Sequence, residues 1–337
     1  MMSLNGEDPV VQKISSAIKE GRFPGRLPGI ITLSWMFKAN PFRVKRALDQ
    51  IIKDGVVKSS RKKRSTGEIA ILFYRPTPLP SRRVHALQVF SSFMDGVQSY
   101  ALGKNIRTCM HQAAPNQTEF IEMLKNDVDA IIVVAHEDIT NEEFAVFDGI
   151  PWVRAMGVVK AHSNHSFVTY DNSVAGTLAA DYLLSRGCRK IIYLGCVKSQ
   201  LFGERHQSFV NRIKASESRT ELHEIKLDGM EISSPNVMAA AVKVLSKLTL
   251  DGKAGIFAAA DIYASALYQA LYSLGVEPVS GVKIVSCDKC NFFLDGLTPR
   301  PPSVDVRMFD IGQLAAEIVT GPDWQNRHEI LIPELNP

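Results

Sequence analysis

The sequence predicts an α/β protein in which a small helical module precedes two doubly wound parallel sheets. Three observations lead there. From Glu68 onward short apolar runs alternate with helical segments, the mark of parallel strands covered by helices on both faces. At least nine such runs occur, which suits two sheets better than one. And the formal charge of +4 is unevenly placed. Residues 1–66 hold 14 basic side chains against five acidic ones, a net +9, and the rest of the chain carries 25 against 30, a net −5. A basic module on a mildly acidic body points to nucleic acid as a partner.

Composition excludes several classes. With 45% hydrophobic and 22% charged residues the 337-residue chain is globular, not disordered. Five scattered cysteines do not make a disulfide scaffold. No run of about 18 apolar residues could span a bilayer, and the N-terminus MMSLNGEDP lacks the basic and apolar regions of a secretory signal. A cytoplasmic protein with reduced thiols is expected.

The first 66 residues read as three helices. Asp8 is the N-cap of the first, with Pro9 at its first position and Val10, Ile14, Ala17 and Ile18 as its apolar stripe. Gly21 stops it. A short second helix covers about Thr32 to Lys38. The third begins with Asn40 as N-cap and Pro41 at the first position. Val44, Ala47, Leu48 and Ile51 fall at helical spacing and form its buried face. The opposite face shows Phe42, Arg46 and Lys53, flanked by Arg43 and Lys45. Gly55 ends the helix, Val56-Val57 reads as a short strand, and Arg61-Lys62-Lys63-Arg64 follows. This order makes a winged helix-turn-helix, whose third helix would lie in the major groove of double-stranded DNA. The DNA-contact candidates are Lys38, Asn40, Phe42, Arg43, Lys45 and Arg46, with Arg61, Lys62, Lys63 and Arg64 against phosphates as wing or linker.

The expected strands of the larger part are Ile69–Tyr74, Ile106–Met110, Ala130–Val134, Trp152–Arg154, Phe167–Tyr170, Lys190–Leu194, His223–Leu227, Gly255–Ala258 and Lys283–Ser286. Helical patterns include Ala86–Gly103, Ser173–Gly187, Asn236–Leu248 and Tyr263–Gly275. Ligands of open parallel sheets bind beyond the carboxyl ends of strands. The residues found there are Tyr74 and Arg75, Asp171, Arg205, Asp261 and Asp288. Carboxylates and guanidinium forks suit the hydroxyls of a sugar, and Tyr74, Trp152 or Phe202 could give the apolar wall. Asp171 and Asp261 each precede a helix and could equally be caps.

Two resemblances support these readings. The run GRFPGRLPGIITLSWMFKANPFRVKRALDQIIKDGVV resembles the GntR-type winged helix in its Gly21/Gly25/Leu27-Pro28 connection, its Val44…Ala47-Leu48 helix and its closing Asp54-Gly55-Val56. Gly29-Ile30-Ile31 departs from that pattern, which usually has a polar residue and an Arg there. Residues 68–335 resemble the LacI/GalR sensor domain. The matching stretches are Val168-Thr-Tyr-Asp-Asn172, Arg186-Gly-Cys-Arg-Lys-Ile-Ile-Tyr-Leu-Gly195, Arg205…Phe209, Ile256-Phe257-Ala258…Asp261, Val285-Ser-Cys-Asp288 and Pro302-Ser-Val304.

The second resemblance implies a two-lobed, periplasmic-binding-protein-like fold. Lobe 1 would cover about 67–188 and 290–320, and lobe 2 about 189–289 and 321–337. It also implies that Arg205, Asp288 and Asp171 contact the ligand. Ala260 stands where that family often has a ligand-binding Asn, and Cys287 replaces its usual Gly or aromatic.

Other chemistry finds no support. Cys287-Asp-Lys-Cys290 lacks a partner pair for zinc, and no P-loop, GxGxxG or GxSxG is present. No catalytic residue, cofactor or metal is expected. The function this predicts is a homodimeric, ligand-responsive transcription regulator. It would act as a repressor on a DNA operator under control of a carbohydrate effector. The alternative is a solute-binding receptor without sequence-specific DNA binding.

Overall fold

The computed structural model describes residues 8–23, 27–53, 66–75, 90–135, 139–157, 165–216, 219–227, 234–278 and 280–336. The chain divides into two compact units, residues 1–66 with Glu122–Val128, and Gly67–Ile121 with Asp129–Pro337. Each is taken by itself.

The first unit holds helices α1 (Pro9–Lys19), α2 (Ile30–Phe37) and α3 (Pro41–Lys53). Asp8 caps α1 by accepting the Val10 N–H at 3.0 Å. Asn40 caps α3 in the same way, its Oδ1 accepting the Phe42 N–H at 2.8 Å. A short turn joins α2 to α3, with Lys38 in the left-handed region at φ 48°. Val10, Ile14, Leu33, Val44, Ala47 and Ile51 close one small core. The expected Val56-Val57 strand and Arg61–Arg64 lie outside the described residues.

The second unit contains two six-stranded sheets. The first comprises β1 (Glu68–Tyr74), β2 (Arg107–Ala113), β3 (Ala130–Ala135), β4 (Trp152–Ala155), β5 (Phe167–Tyr170) and β11 (His328–Leu331), in the order β11-β5-β4-β3-β1-β2. Every neighbouring pair in it is parallel. The second comprises β6 (Lys190–Cys196), β7 (Glu221–Leu227), β8 (Ala254–Ala258), β9 (Lys283–Cys287), β10 (Ser303–Asp305) and β12 (Glu334–Asn336), in the order β12-β10-β9-β8-β6-β7. Only the β10–β12 pair is antiparallel. Central strands such as β1 and β6 are buried on both faces, so their sequences IAILFY and IIYLGC read as unbroken apolar runs. The edge strands β2 and β7 are only partly buried and carry polar and charged side chains such as Arg107, Gln112, Glu221 and Lys226.

Helices α4 (Ser91–Gly103), α6 (Asn172–Ser185), α7 (Gln200–Lys214), α8 (Ser234–Leu245), α9 (Asp261–Ser273), the short α10 (Asn291–Leu294) and α11 (Met308–Thr320) surround the sheets, with a 3-10 helix at Glu142–Phe147; most of α5 (Thr118–Asp127) is counted with the first unit. The chain crosses between sheets three times: after β5 at Asp171, after β10 near Arg307, and between Leu331 and Glu334.

These points correct the lobe limits expected at 189, 290 and 321. Helix α6 belongs to the second sheet, where it packs on α7, and the pair β9–β10 keeps residues 290–305 there as well. Helix α11 packs on α4 of the first sheet. Small residues fix both pairings. A Cβ on Gly176 of α6 would lie 2.1 Å from the Arg205 carbonyl oxygen. A Cβ on Gly312 of α11 would lie 2.1 Å from that of Phe93, so only glycine allows either backbone approach.

Candidate functional site

The most heavily tied side chain in the molecule is Arg205. Ser199 caps α7, its hydroxyl accepting the Phe202 N–H at 3.1 Å, and this sets the helix phase. Phe202, Arg205, Phe209, Val210 and Ile213 then form the buried stripe, so a guanidinium occupies a core position of an amphipathic helix. Arg205 has no exposed surface. A buried charge of this kind persists only when it is paired and its donors are used.

They are used. Nε donates to Asn172 Oδ1 at 3.2 Å and Nη2 to the Tyr170 hydroxyl at 3.3 Å. Nη1 donates to the Ala259 carbonyl and, at 3.1 Å, to Asp288 Oδ1. The guanidinium carbon also sits 5.3 Å from the Phe202 ring centroid and 6.0 Å from that of Tyr170. Burial works against the charged guanidinium, but the groups packed around it, the Asp288 carboxylate among them, more than offset this and hold its proton more tightly than usual.

The constellation stands where the two sheets join. Tyr170 ends β5 of the first sheet, Asp171 is the crossover, and Asn172 opens α6. Ala259 follows β8 and Asp288 follows β9, both at carboxyl ends of strands in the second sheet. Asp288 has φ 106°, a region that favours glycine. Its N–H donates to the Val304 carbonyl at 2.9 Å, which pins the strained turn. Burial raises the Asp288 carboxyl above the usual carboxylate range, against the attraction of Arg205.

Asp261, the other candidate from this sheet, is 1% exposed and stands at the first position of α9. It is not a cap. It accepts the Cys290 N–H at 2.6 Å and the Ser303 hydroxyl at 2.8 Å. It therefore ties α9 to the loop after β9 and to β10, and fixes the turn that carries Asp288. Burial and then the charge of Asp288 push its carboxyl up to about 8.

The remaining candidates sit elsewhere. Asp171 is the N-cap of α6, accepting the Ser173 N–H at 2.8 Å and the Val174 N–H at 3.1 Å, so its carboxylate is committed to the helix start. Tyr74 is fully buried in the first sheet, with its ring against Phe144 and Phe147 and its hydroxyl donating to the Glu143 carbonyl at 3.1 Å. Trp152 joins the same aromatic cluster, so neither serves as a ligand wall. Arg75 directly follows β1, its N–H donating to the Ala113 carbonyl at 3.0 Å. Asn172 and Tyr170, which flank Asp171, are partners of Arg205 and were not among the candidate ligand residues.

In the helical unit, Phe42, Arg43 and Arg46 are exposed on α3 and Lys45 is half-buried, opposite the buried Val44, Ala47 and Ile51. Lys38 and Asn40 are exposed at the turn before it. Arg43 pairs with Asp8 through Nη2 at 2.8 Å and Nε at 3.4 Å, on the exposed side of the helix. The Arg43 hydrogen bond in turn lowers the Asp8 carboxyl below its ordinary value. Arg61, Lys62, Lys63 and Arg64 lie outside the described residues. Among the described residues no group of three metal-ligating side chains occurs, and no helix is long and apolar enough to cross a membrane.

Residues 180–335 match the periplasmic binding protein-like domain. No curated protein matches the chain. Among solved structures, the chain is similar to a LacI family transcriptional regulator from Enterococcus faecium with bound ribose. That pair has 18% identity and a TM-score of 0.64, covering 80% of this chain and 97% of that one. It is similar as well to the transcriptional regulator CelR in complex with cellobiose, at 16% identity and a TM-score of 0.65, covering 92% and 99%. A third is a periplasmic binding protein/LacI transcriptional regulator from Alkaliphilus metalliredigens complexed with D-xylulofuranose, at 19% identity and a TM-score of 0.61, covering 80% and 97%. At these identities the likeness establishes the two-sheet fold.

Proposed function

We propose that this chain is a transcription regulator that binds operator DNA through its helical unit and a small carbohydrate between the two sheets. The observation that carries the reading is the buried Arg205–Asp288 pair, held by Asn172 and Tyr170 at a sheet crossover. A purely structural role does not need a strained aspartate at a strand end beside a buried guanidinium. Arg205 fixes Asp288 at the strand end, and the partly exposed carboxylate of Asp288 can accept from the hydroxyl of a polyol.

The sugar-bound proteins of the same fold support a carbohydrate effector, and the one that covers 92% of this chain supports a DNA-binding unit in front of the sensor. The three-helix unit, with Phe42, Lys45 and Arg46 on its outer face, supports a GntR-like winged helix-turn-helix. A homodimer would present two such units to half-sites about 10 base pairs, or a multiple of that, apart. The effector changes operator affinity only to the extent that it prefers one conformation, so its sign follows from which state it selects.

A thermal-shift screen of pentoses, hexoses and disaccharides tests the sensor. A sugar that binds the native state raises the unfolding midpoint. The Asp288→Ala variant should lose that rise while keeping its affinity for DNA. A full rise in the variant would move the ligand away from Asp288.

A further inference from the structure

Among the described residues five tyrosines are buried, and four of them have their hydroxyls satisfied within the chain. Tyr74 donates to the Glu143 carbonyl, Tyr193 to the Cys196 carbonyl at 3.1 Å, and Tyr268 to the Pro299 carbonyl at 2.6 Å. Tyr170 accepts from Arg205. The fifth, Tyr263, is 1% exposed and its hydroxyl has no partner among the described residues. An orphaned buried hydroxyl is costly and calls for a reason.

Its position supplies one. Tyr263 lies in the first turn of α9, directly after the β8 strand end that gives its Ala259 carbonyl to Arg205. Its ring centroid is 6.1 Å from Phe202, the ring that underlies the Arg205 guanidinium. The charges of Asp288 and Arg205 both act on the phenol, and burial keeps it protonated. Ala259 and Ala260, which precede the helix, bring no polar side chain to this wall. Asp261 is spent on Cys290 and Ser303. Tyr263 is thus the one side-chain polar group at the start of α9 not already committed inside the chain.

We propose that the Tyr263 hydroxyl is reserved for the ligand and hydrogen-bonds a hydroxyl of the bound polyol next to the one read by Asp288. The inference rests on the carbohydrate reading above and adds a specificity-determining residue to it. Within the chain the phenol finds no hydrogen-bond partner. When the ligand binds, the desolvation already suffered is recovered, so the contact favours ligands with a hydroxyl at that position over their deoxy counterparts.

The test is Tyr263→Phe in the full chain, which removes one oxygen and leaves the ring. Thermal unfolding without sugar and calorimetric titration with D-ribose, D-xylulose, D-glucose and cellobiose are compared with wild type, and Asp288→Asn reports on the site as a whole. The expected result is an unchanged or slightly raised midpoint without sugar. For whichever of these sugars binds wild type, affinity should fall about tenfold, equivalent to about 1.4 kcal/mol. A lowered sugar-free midpoint would mean that the hydroxyl has a partner within the protein, and would overturn the proposal. So would wild-type affinity in Tyr263→Phe while Asp288→Asn no longer binds. Binding that survives in both variants, or no binding of any of the four sugars to wild type, would instead refute the carbohydrate site on which the proposal depends.

Discussion

Replacing Arg205 by Met keeps a long side chain in its space but withdraws every donor the site relies on. Asp288, whose side chain is only 11% exposed, then faces no cation, and the Asn172, Ala259 and Tyr170 oxygens lose their donors. Breaking a buried ion pair from one side costs about 3–5 kcal/mol, most of it the penalty of the charge left behind. Asp288→Asn retains an acceptor oxygen for Nη1 and a residue type that tolerates positive φ, but leaves Arg205 uncompensated, and should cost about 2–4 kcal/mol. In the double variant neither charge remains. Its cost should therefore fall short of the two single costs combined by about 2–3 kcal/mol. Urea unfolding followed by near-ultraviolet circular dichroism reports on the tyrosine-rich second sheet and measures all three. Costs that add to within about 0.5 kcal/mol would show that Arg205 and Asp288 do not act as a pair, and the reasoning from burial to site would fail.

The carboxyl of Asp261 binds its proton more tightly folded, at about 8, than unfolded, near 3.9. The stability it contributes is thus fully present below pH 4 and is lost as pH rises toward 8. Asp261→Asn should flatten that decline, and stability curves of equal slope over pH 4–8 would contradict the assignment. Gly176→Ala and Gly312→Ala should each cost about 1–3 kcal/mol in the same unfolding assay, because their methyl groups would meet a carbonyl oxygen at 2.1 Å. Arg46→Ala should weaken binding to a DNA site selected from a random pool by about 1–3 kcal/mol in fluorescence anisotropy, and an unchanged affinity would remove Arg46 from the interface. Neutralising Lys62 and Lys63 should flatten the salt dependence of binding to any DNA, whereas a wild-type slope would separate them from phosphate contact.

Much of the fold was legible because parallel strands buried on both faces leave unbroken apolar runs. All nine strands expected from such runs are present, within a few residues at their ends. The three that were not expected, β10, β11 and β12, are three or four residues long. They hold polar side chains such as Ser303, Glu329 and Asn336, and exist only because a neighbouring strand offers its edge. The lobe limits were misplaced for a related reason. The helix that follows a crossover packs against the sheet it is about to join, and nothing in an amphipathic pattern tells which sheet that is.

The site was partly readable. An arginine on the apolar stripe of α7 is conspicuous in sequence, and Asp288 lies where a strand end predicts a ligand. Tyr74, by contrast, fits a strand-end rule yet points into an aromatic cluster, because the side on which a strand's last residue falls depends on register. Asp171 and Asp261 both stand at helix starts, one at the N-cap and the other at the first helical position, and they differ in role. One caps its own helix and the other reaches across to Cys290 and Ser303, a distinction set by tertiary placement alone. Arg43 pairs with Asp8, 35 residues away in sequence, which no local pattern could show.

The central claim joins a DNA-reading unit to a sugar-reading one, and linkage makes it measurable in a single titration. The purified chain is first used to select its preferred duplex from random DNA. Anisotropy with that duplex then gives the dissociation constant with and without a sugar identified by thermal shift. The account predicts a selected, two-fold symmetric site whose affinity the sugar changes about fivefold or more, an effect abolished by Asp288→Ala. Selection of no sequence, or an operator affinity that every binding sugar leaves unchanged, would contradict it.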